Sequence, residues 1–394
     1  MAKSIIPLPP NIGFGFTSPT PLNQSQVVGM RYETVGRFHN YHATPENWYW
    51  PEPWKPKELT IDGFSPNLNK SLHCGHLKNL AVARALSGLL CSKPGKPVAM
   101  LGAAAGVQPD ALASYHAWCK LADYNPTVYF DNQLPEPKVT LTQGTGEYEG
   151  CKMYNDVVIY RSNGLPTYAA HDLAFAQIAH PDIYLTGVEQ KAHFTSLGLG
   201  DKHVPLGLVL GEDGKKMRSS IKREGDEANA LSAKELFELV LDCMEPSPEP
   251  EKLAWNILAW QFNSTQIATN TKFIPKQWAK PEAPGLYISY TLARIGKALE
   301  AAGAVDKPMA VEECDIKLLA QSQYLHYHIN KAQNEFETHY VATYAHTLAK
   351  TLSSLYAARS ISHGSASYKW SILCGYQSLE SAMRLIGMHP LKTV

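Results

Sequence analysis

The sequence Thr60-Ile61-Asp62-Gly63-Phe64-Ser65-Pro66-Asn67-Leu68-Asn69-Lys70-Ser71-Leu72-His73-Cys74-Gly75-His76 passes from a short apolar run into a polar turn, then into two histidines flanking a glycine. Thr60 and Ile61 read as a strand near its end. From about Leu77, the residues Leu80, Ala81, Ala83, Ala85, Leu86 and Leu89 carry the apolar spacing of a helix that packs on a sheet. A strand that stops in a polar turn at a helix N-terminus directs backbone N–H groups and the positive dipole end at one spot. That arrangement is a phosphate site. His73 and His76 can both face the phosphates, and the missing side chain of Gly75 lets a flat ring lie against the backbone. The pattern is neither a Walker loop nor a dinucleotide fingerprint.

At these residues the chain resembles the class I aminoacyl-tRNA synthetases and, within them, the arginyl-tRNA synthetases. Ser65-Pro66-Asn67 through Lys70 and His73-Cys74-Gly75-His76 look like that family's S-P-N-x-x-K-x-x-H-x-G-H signature. In the family this turn binds ATP and the amino acid. The resemblance implies an α/β fold, with a Rossmann-like parallel-sheet catalytic domain followed by an all-α helical bundle.

Composition sets outer limits. The chain has 394 residues, 44% hydrophobic and 18% charged, which suits two or three globular domains. Formal charge is zero and the pI is about 7.2, so any RNA contact must use local patches. Seven cysteines without a C-x-x-C pair argue against a disulfide framework or a zinc knuckle and fit a reducing compartment. No apolar run reaches membrane-spanning length, and the N-terminus lacks a signal pattern. A cytoplasmic monomer with no membrane partner is expected.

Residues up to about Glu58 are rich in proline and aromatics, including the run Trp48-Tyr49-Trp50-Pro51-Glu52-Pro53-Trp54. Such proline density predicts an irregular arm packed on the body by its aromatics. Full-length members of the family usually carry a separate N-terminal tRNA-elbow domain. This arm is too short and too different to be that domain, so a compact form is expected.

Downstream, Pro97–Leu101 reads as a second buried strand, followed by Gly106 and Gln108 of the family's G-D-W-G-x-Q turn, with Ala104 and Ala105 in place of its Asp and Trp. The connection to the next motif is short where the family has a long helical insertion. Asp131 within it reads as a solvated turn residue. Val157–Tyr160 is a β-branched run typical of a buried strand. Thr167 is a plausible N-cap for a helix that puts Tyr168 and Asp172 on one face at i and i+4. A phenol and a carboxylate so placed can hold a guanidinium. Arg161-Ser162-Asn163-Gly164-Leu165-Pro166-Thr167-Tyr168 through Asp172 resembles the family's arginine-pocket segment. Gln190 and His193 match its Gln and H-F, while Glu189 reads as a rim charge. Val204–Leu210 reads as one more strand. Lys215-Lys216-Met217-Arg218-Ser219-Ser220 resembles the class I K-M-S-K-S loop that clamps the triphosphate, with Ser219 where the second Lys belongs. Many arginyl enzymes lack that Lys, and the Lys before H-x-G-H takes over its role. Lys70 occupies that position. From Ser232 onward the spacing is helical, and Tyr287–Ile295 and Leu385–Pro390 resemble the start and end of the family's anticodon-binding bundle.

The resemblance therefore implies four segments: an arm (1–58), a catalytic domain (59–230), a helical connection (231–283) and an anticodon-binding-like domain (284–394). Lys70, His73, His76, Lys215 and Lys216 would be catalytic. Gly75, Met217, Ser219 and Ser220 would bind ATP, and Asn67, Tyr168, Asp172 and Gln190 would bind L-arginine. Mg2+ would accompany ATP without a dedicated protein cage. The expected function is activation of L-arginine and its transfer to tRNA. Two rivals are a compact paralogue with a non-tRNA acceptor and a catalytically silent module that binds RNA or senses arginine.

Overall fold

The structure is a computed structural model and describes residues 5–9, 12–45, 55, 57–91, 97–217 and 231–394. The Trp48–Trp54 run and the segment with Arg218, Ser219, Ser220 and Lys222 lie outside the described residues. The chain divides into two compact units, each discontinuous in sequence. One takes in Met1–Lys55, Glu245–Ser264 and Lys280–Val394, the other Pro56–Met244 and Thr265–Ala279.

The first unit begins with an antiparallel sheet of β1 (Ile6–Pro7), β2 (Gly15–Ser18), β3 (Arg31–Val35) and β4 (Phe38–His42), in the order β1-β2-β4-β3. This corrects the irregular arm. The prolines fall in the two-residue edge strand β1 and in connections such as Pro19 and Pro21, so the central strands β2 and β4 contain none and pair freely. Packing by aromatics holds: Phe16 and Tyr41 are buried with Ile5 against Tyr324 and Tyr327.

The second unit is built on a five-stranded parallel sheet. Its strands are β5 (Ile61–Asp62), β6 (Pro97–Leu101), β7 (Thr127–Phe130) and, after an intervening meander, β11 (Ile183–Gly187) and β12 (His203–Leu206). The spatial order is β12-β11-β5-β6-β7. Helix α1 (Cys74–Leu90) connects β5 to β6, and α2 (Pro109–Leu121) connects β6 to β7. The chain first grows outward from β5 on one side, then returns to the other through β11. The switch point therefore lies at the C-terminal end of β5, where ligands bind in open α/β sheets. The apolar residues expected of α1 are there and buried, Leu77, Leu80, Ala81, Ala85 and Leu86 at 0% exposure. Gly63, just past β5, permits this packing, since a Cβ there would stand 2.7 Å from Ala83 Cβ.

The meander of β8 (Thr142–Gln143), β9 (Lys152–Tyr154) and β10 (Val157–Tyr160) is a separate antiparallel sheet. Val157–Tyr160 is thus mostly half-buried, not a strand of the main sheet. Helix α3 (Tyr168–Ala179) leads into β11, and α4 (Lys191–Ser196) into β12. The single strand expected over Val204–Leu210 breaks at Gly207 and resumes as β13 (Val209–Leu210), which pairs in parallel with the distant β14 (Thr271–Lys272). Helix α5 (Ala233–Asp242) opens with a Ser232–Glu235 capping box. Helix α6 (Pro250–Asn263) returns the chain to the first unit, and α7 (Pro275–Trp278) closes the second.

Four helices complete the first unit: α8 (Pro284–Ala302), α9 (Glu313–Glu335), α10 (His339–Ala358) and α11 (Ala366–Leu385). In α9 the buried polar residues Asp315, Ser322 and Gln333 interrupt the apolar stripe. Among the described residues no helix is long and apolar enough to cross a membrane.

Because Gly63 lets α1 approach β5, Gly63→Ala should force these elements apart. A loss of about 1–3 kcal/mol in urea unfolding is expected.

Candidate active site

The turn after β5 is fixed by backbone pairing to the segment after β6. Leu68 N donates to Gly102 O at 2.8 Å, and Gly102 N donates to Pro66 O at 3.1 Å. Asn67 Oδ1 accepts from Asn69 N at 3.1 Å, closing the turn that presents Lys70. Asp131 buttresses this arrangement: its Oδ1 accepts from Ala103 N at 2.7 Å and Ala104 N at 2.8 Å. Asp131 is 4% exposed and is therefore not the solvated turn residue expected. Ala103 and Ala104 aim successive amides at this carboxylate, a pairing that sequence spacing does not encode.

Helix α1 starts with an unusual cap. His73 is the N-cap, and its Nδ1 accepts from Gly75 N at 3.1 Å. In return His76 Nδ1 accepts from His73 N at 3.0 Å. Both halves of a capping box are thus made by imidazoles. An Nδ1 that accepts from an amide carries no proton, so each neutral ring bears its proton on Nε2. The rings stack with centroids 3.9 Å apart. Burial, with the nearby Lys70 and Lys216 charges, pushes His73 down to about 4. Burial, then His73 and Lys70, holds His76 well below the usual histidine range. Two neutral Nε2–H donors result. The flat ring that lies against Gly75 is that of His73, since a Cβ on Gly75 would be 3.0 Å from His73 Cε1.

The lysines supply the charge. Lys70 is exposed and has no carboxylate partner among the described residues. Lys216 Nζ is 3.3 Å from Glu189 Oε1, and Lys215 Nζ is 3.8 Å from Asp213 Oδ2. Both pairs are exposed, so little energy holds either lysine back from an anion. Glu189 is a rim charge, as expected, and it engages the loop. Met217 is 4% exposed, and its N–H donates to Val209 O at 3.1 Å, which makes it the apolar anchor of the loop.

The residues expected to meet the amino acid are carried mainly by α3 and the start of α4. Thr167 occupies the N-cap of α3, but its side chain does not cap. Its Oγ1 donates to Val158 O at 2.6 Å and fixes the helix start to β10. Tyr168 is 64% exposed, and Asn67 Nδ2 reaches its hydroxyl at 3.5 Å. Asp172 Oδ2 pairs with His193 Nε2 at 2.6 Å, and this hydrogen bond raises the His193 pKa. Gln190 is exposed at the N-cap of α4. The sequence reading matched His193 to the family pattern without giving it a role.

Asp62 was also missed. It ends β5, is 5% exposed, and its Oδ1 accepts from Ser65 Oγ at 2.6 Å. Burial pushes its carboxyl up to about 7, against the Ser65 hydrogen bond and aided by the Asp172 charge. An acidic residue closing the strand before the turn was the available signal. Among the described residues, three groups able to share a metal occur together only at Glu312, Cys314 and Asp315, in the other unit.

Comparisons with known proteins agree with the resemblance read from the sequence. Residues 288–394 match the DALR anticodon binding domain family. A curated arginine–tRNA ligase of Levilactobacillus brevis is 27% identical over 236 residues, covering 52% of this chain and 41% of that protein. The match thus spans about two-fifths of that relative's length. The fold is similar to Thermus thermophilus arginyl-tRNA synthetase, with a TM-score of 0.72 at 15% identity over 99% of this chain and 96% of that one. It is also similar to the Plasmodium falciparum arginyl-tRNA synthetase, with a TM-score of 0.68 at 11% identity over 100% and 96%.

The capping geometry predicts that long-range 1H–15N NMR at pH 7 will find His73 and His76 neutral and protonated on Nε2. His73 should titrate only near pH 4. A midpoint close to the ordinary histidine value of about 6.5 for either ring would refute the cap.

Proposed function

We propose that this chain, which has the arginyl-tRNA synthetase fold, activates L-arginine with ATP and passes the arginyl group to tRNA. The observation that carries the reading is the stacked pair of neutral histidines at the sheet's switch point, flanked by lysines, with Tyr168 reached from the same turn by Asn67.

In the first step the arginine carboxylate attacks the ATP α-phosphorus. The bond to the bridging oxygen breaks, and pyrophosphate leaves with the electron pair. In the second, a terminal ribose hydroxyl of tRNA attacks the adenylate carbonyl, loses its proton and displaces AMP. The protein's part is position and charge. His73 and His76 donate from Nε2 to phosphate oxygens, and Lys70, Lys215 and Lys216 meet the charge that builds there. Gly75, Met217, Ser219 and Ser220 complete the ATP site, and Mg2+ arrives with the nucleotide as part of the substrate. Asn67, Tyr168, Asp172 and Gln190 hold the arginine. Asp172 has its Oδ1 left for a guanidinium after pairing Oδ2 with His193. The tRNA partner is assigned to the helical residues 284–394.

Arginine-dependent ATP–pyrophosphate exchange, run with and without tRNA, tests the reading directly. Exchange that requires arginine supports it, and its absence in both conditions rejects it. Lys70→Ala removes one preorganised charge donor, worth about 3 kcal/mol in the transition state, so exchange should slow by about a hundredfold while ATP affinity changes little. Asp172→Asn should weaken arginine binding far more than ATP binding, as calorimetry with each ligand would read. Equal losses for both ligands would make Asp172 structural.

A further inference from the structure

Lys78 lies two residues after His76 on α1, yet none of the roles above uses it. It is 1% exposed, and Thr269 O, 2.7 Å from Nζ, is its one hydrogen-bond partner among the described residues. Burial pushes its ammonium down to about 8. A buried ammonium held by a single carbonyl is costly, and an apolar side chain of the same length would fill the space without that cost.

The carbonyl it holds belongs to the segment that supports the lysine loop. Gly207 packs so closely on this segment that a Cβ would stand 2.3 Å from Thr269 O. Gly207 N donates to Ile267 O at 2.9 Å, and Leu208 N donates to Asn270 Oδ1 at 2.8 Å. Thr271 N and Phe273 N then donate to Leu208 O and Leu210 O, both at 2.8 Å, along the β13–β14 pair. From β13 the loop departs and folds back. Gly211 N donates to Lys215 O at 2.8 Å, Met217 N returns to Val209 O, and Lys216 bridges Leu210. A continuous hydrogen-bonded path thus runs from Lys78 through Thr269 and β14 to the backbone of Lys215 and Lys216.

We infer that Lys78 is a positioning residue: it fixes the strand pair β13–β14 to the histidine helix, and so sets where the lysine loop stands relative to His73 and His76. The inference rests on the phosphate chemistry proposed above. Lys78 itself touches neither ligand.

The test uses the full chain with Lys78→Met, Lys78→Gln and Lys78→Arg. Hydrogen–deuterium exchange of the segment 207–217 is read first, because it does not depend on turnover. Lys78→Met and Lys78→Gln should exchange faster there than the wild type, with α2 and the first unit unchanged, and Lys78→Arg should restore protection. In ATP–pyrophosphate exchange, Lys78→Met should lower kcat by about tenfold or more with the arginine KM unchanged, the kind of loss that follows misplacement of reacting groups. Unchanged protection of 207–217 in both Lys78→Met and Lys78→Gln would overturn the inference. A wild type without exchange activity would instead overturn the proposed function, while the deuterium result would still decide the role of Lys78 in holding the loop.

Discussion

Two amides at the start of α1 are satisfied by imidazole nitrogens, and much of the site follows from that constraint. A serine or aspartate cap would satisfy the same amides and offer nothing outward. An imidazole that accepts at Nδ1 must carry its proton at Nε2, so capping fixes both the tautomer and the direction of the donor. Neutrality is part of the same solution. Two rings stacked 3.9 Å apart could not both be charged at low cost, and burial with the neighbouring lysines keeps them neutral. Directed donors and mobile charge are therefore carried by different residues, with the histidines fixed in the cap and the lysines on exposed turns.

The other end of the site has the opposite electrostatics. Asp62 closes β5 as a buried carboxyl, and the Asp172 charge adds to the cost that burial sets on ionising it. His193 relieves part of this by pairing with Asp172. A guanidinium suits such a place because it cannot shed its proton and offers several donors in one plane. Asn67 links the two ends, with Oδ1 closing the phosphate turn and Nδ2 reaching Tyr168. Under the proposed function, Asn67 would thus join the end that meets the phosphates to the end that meets the guanidinium.

What could be read from the sequence was what is local. The strand–turn–helix of residues 60–90 announced itself by periodicity and by its polar turn, and Tyr168 with Asp172 by helical spacing. The parallel-sheet class came with the family resemblance that these residues carry. What could not be read depends on partners distant in the chain. Asp131 looked solvated because nothing nearby reveals that the amides of Ala103 and Ala104 point at it. The N-terminal sheet was hidden by an average, since its prolines are dense overall yet absent from the two central strands. The break at Gly207 reflects the backbone at Thr269, 62 residues on, and no apolar pattern records that approach.

Two cross-element bonds fix helices from the side away from the candidate site. Thr167 was expected to cap α3, but its hydroxyl instead grips β10, so the helix start that carries Tyr168 is held from behind. Lys78 grips Thr269 O on the far side of α1 in the same manner. In both cases a side chain bonds a carbonyl of a neighbouring element, and a residue a few positions away faces the site. Fixing an element through its back face spends none of the polar atoms on its front face. The Nε2–H groups of His73 and His76, the Tyr168 hydroxyl and Lys70 can then keep their donors for substrate. Under the proposed function, the order of the site would therefore depend on Thr167 and Lys78 as well as on the side chains that meet substrate.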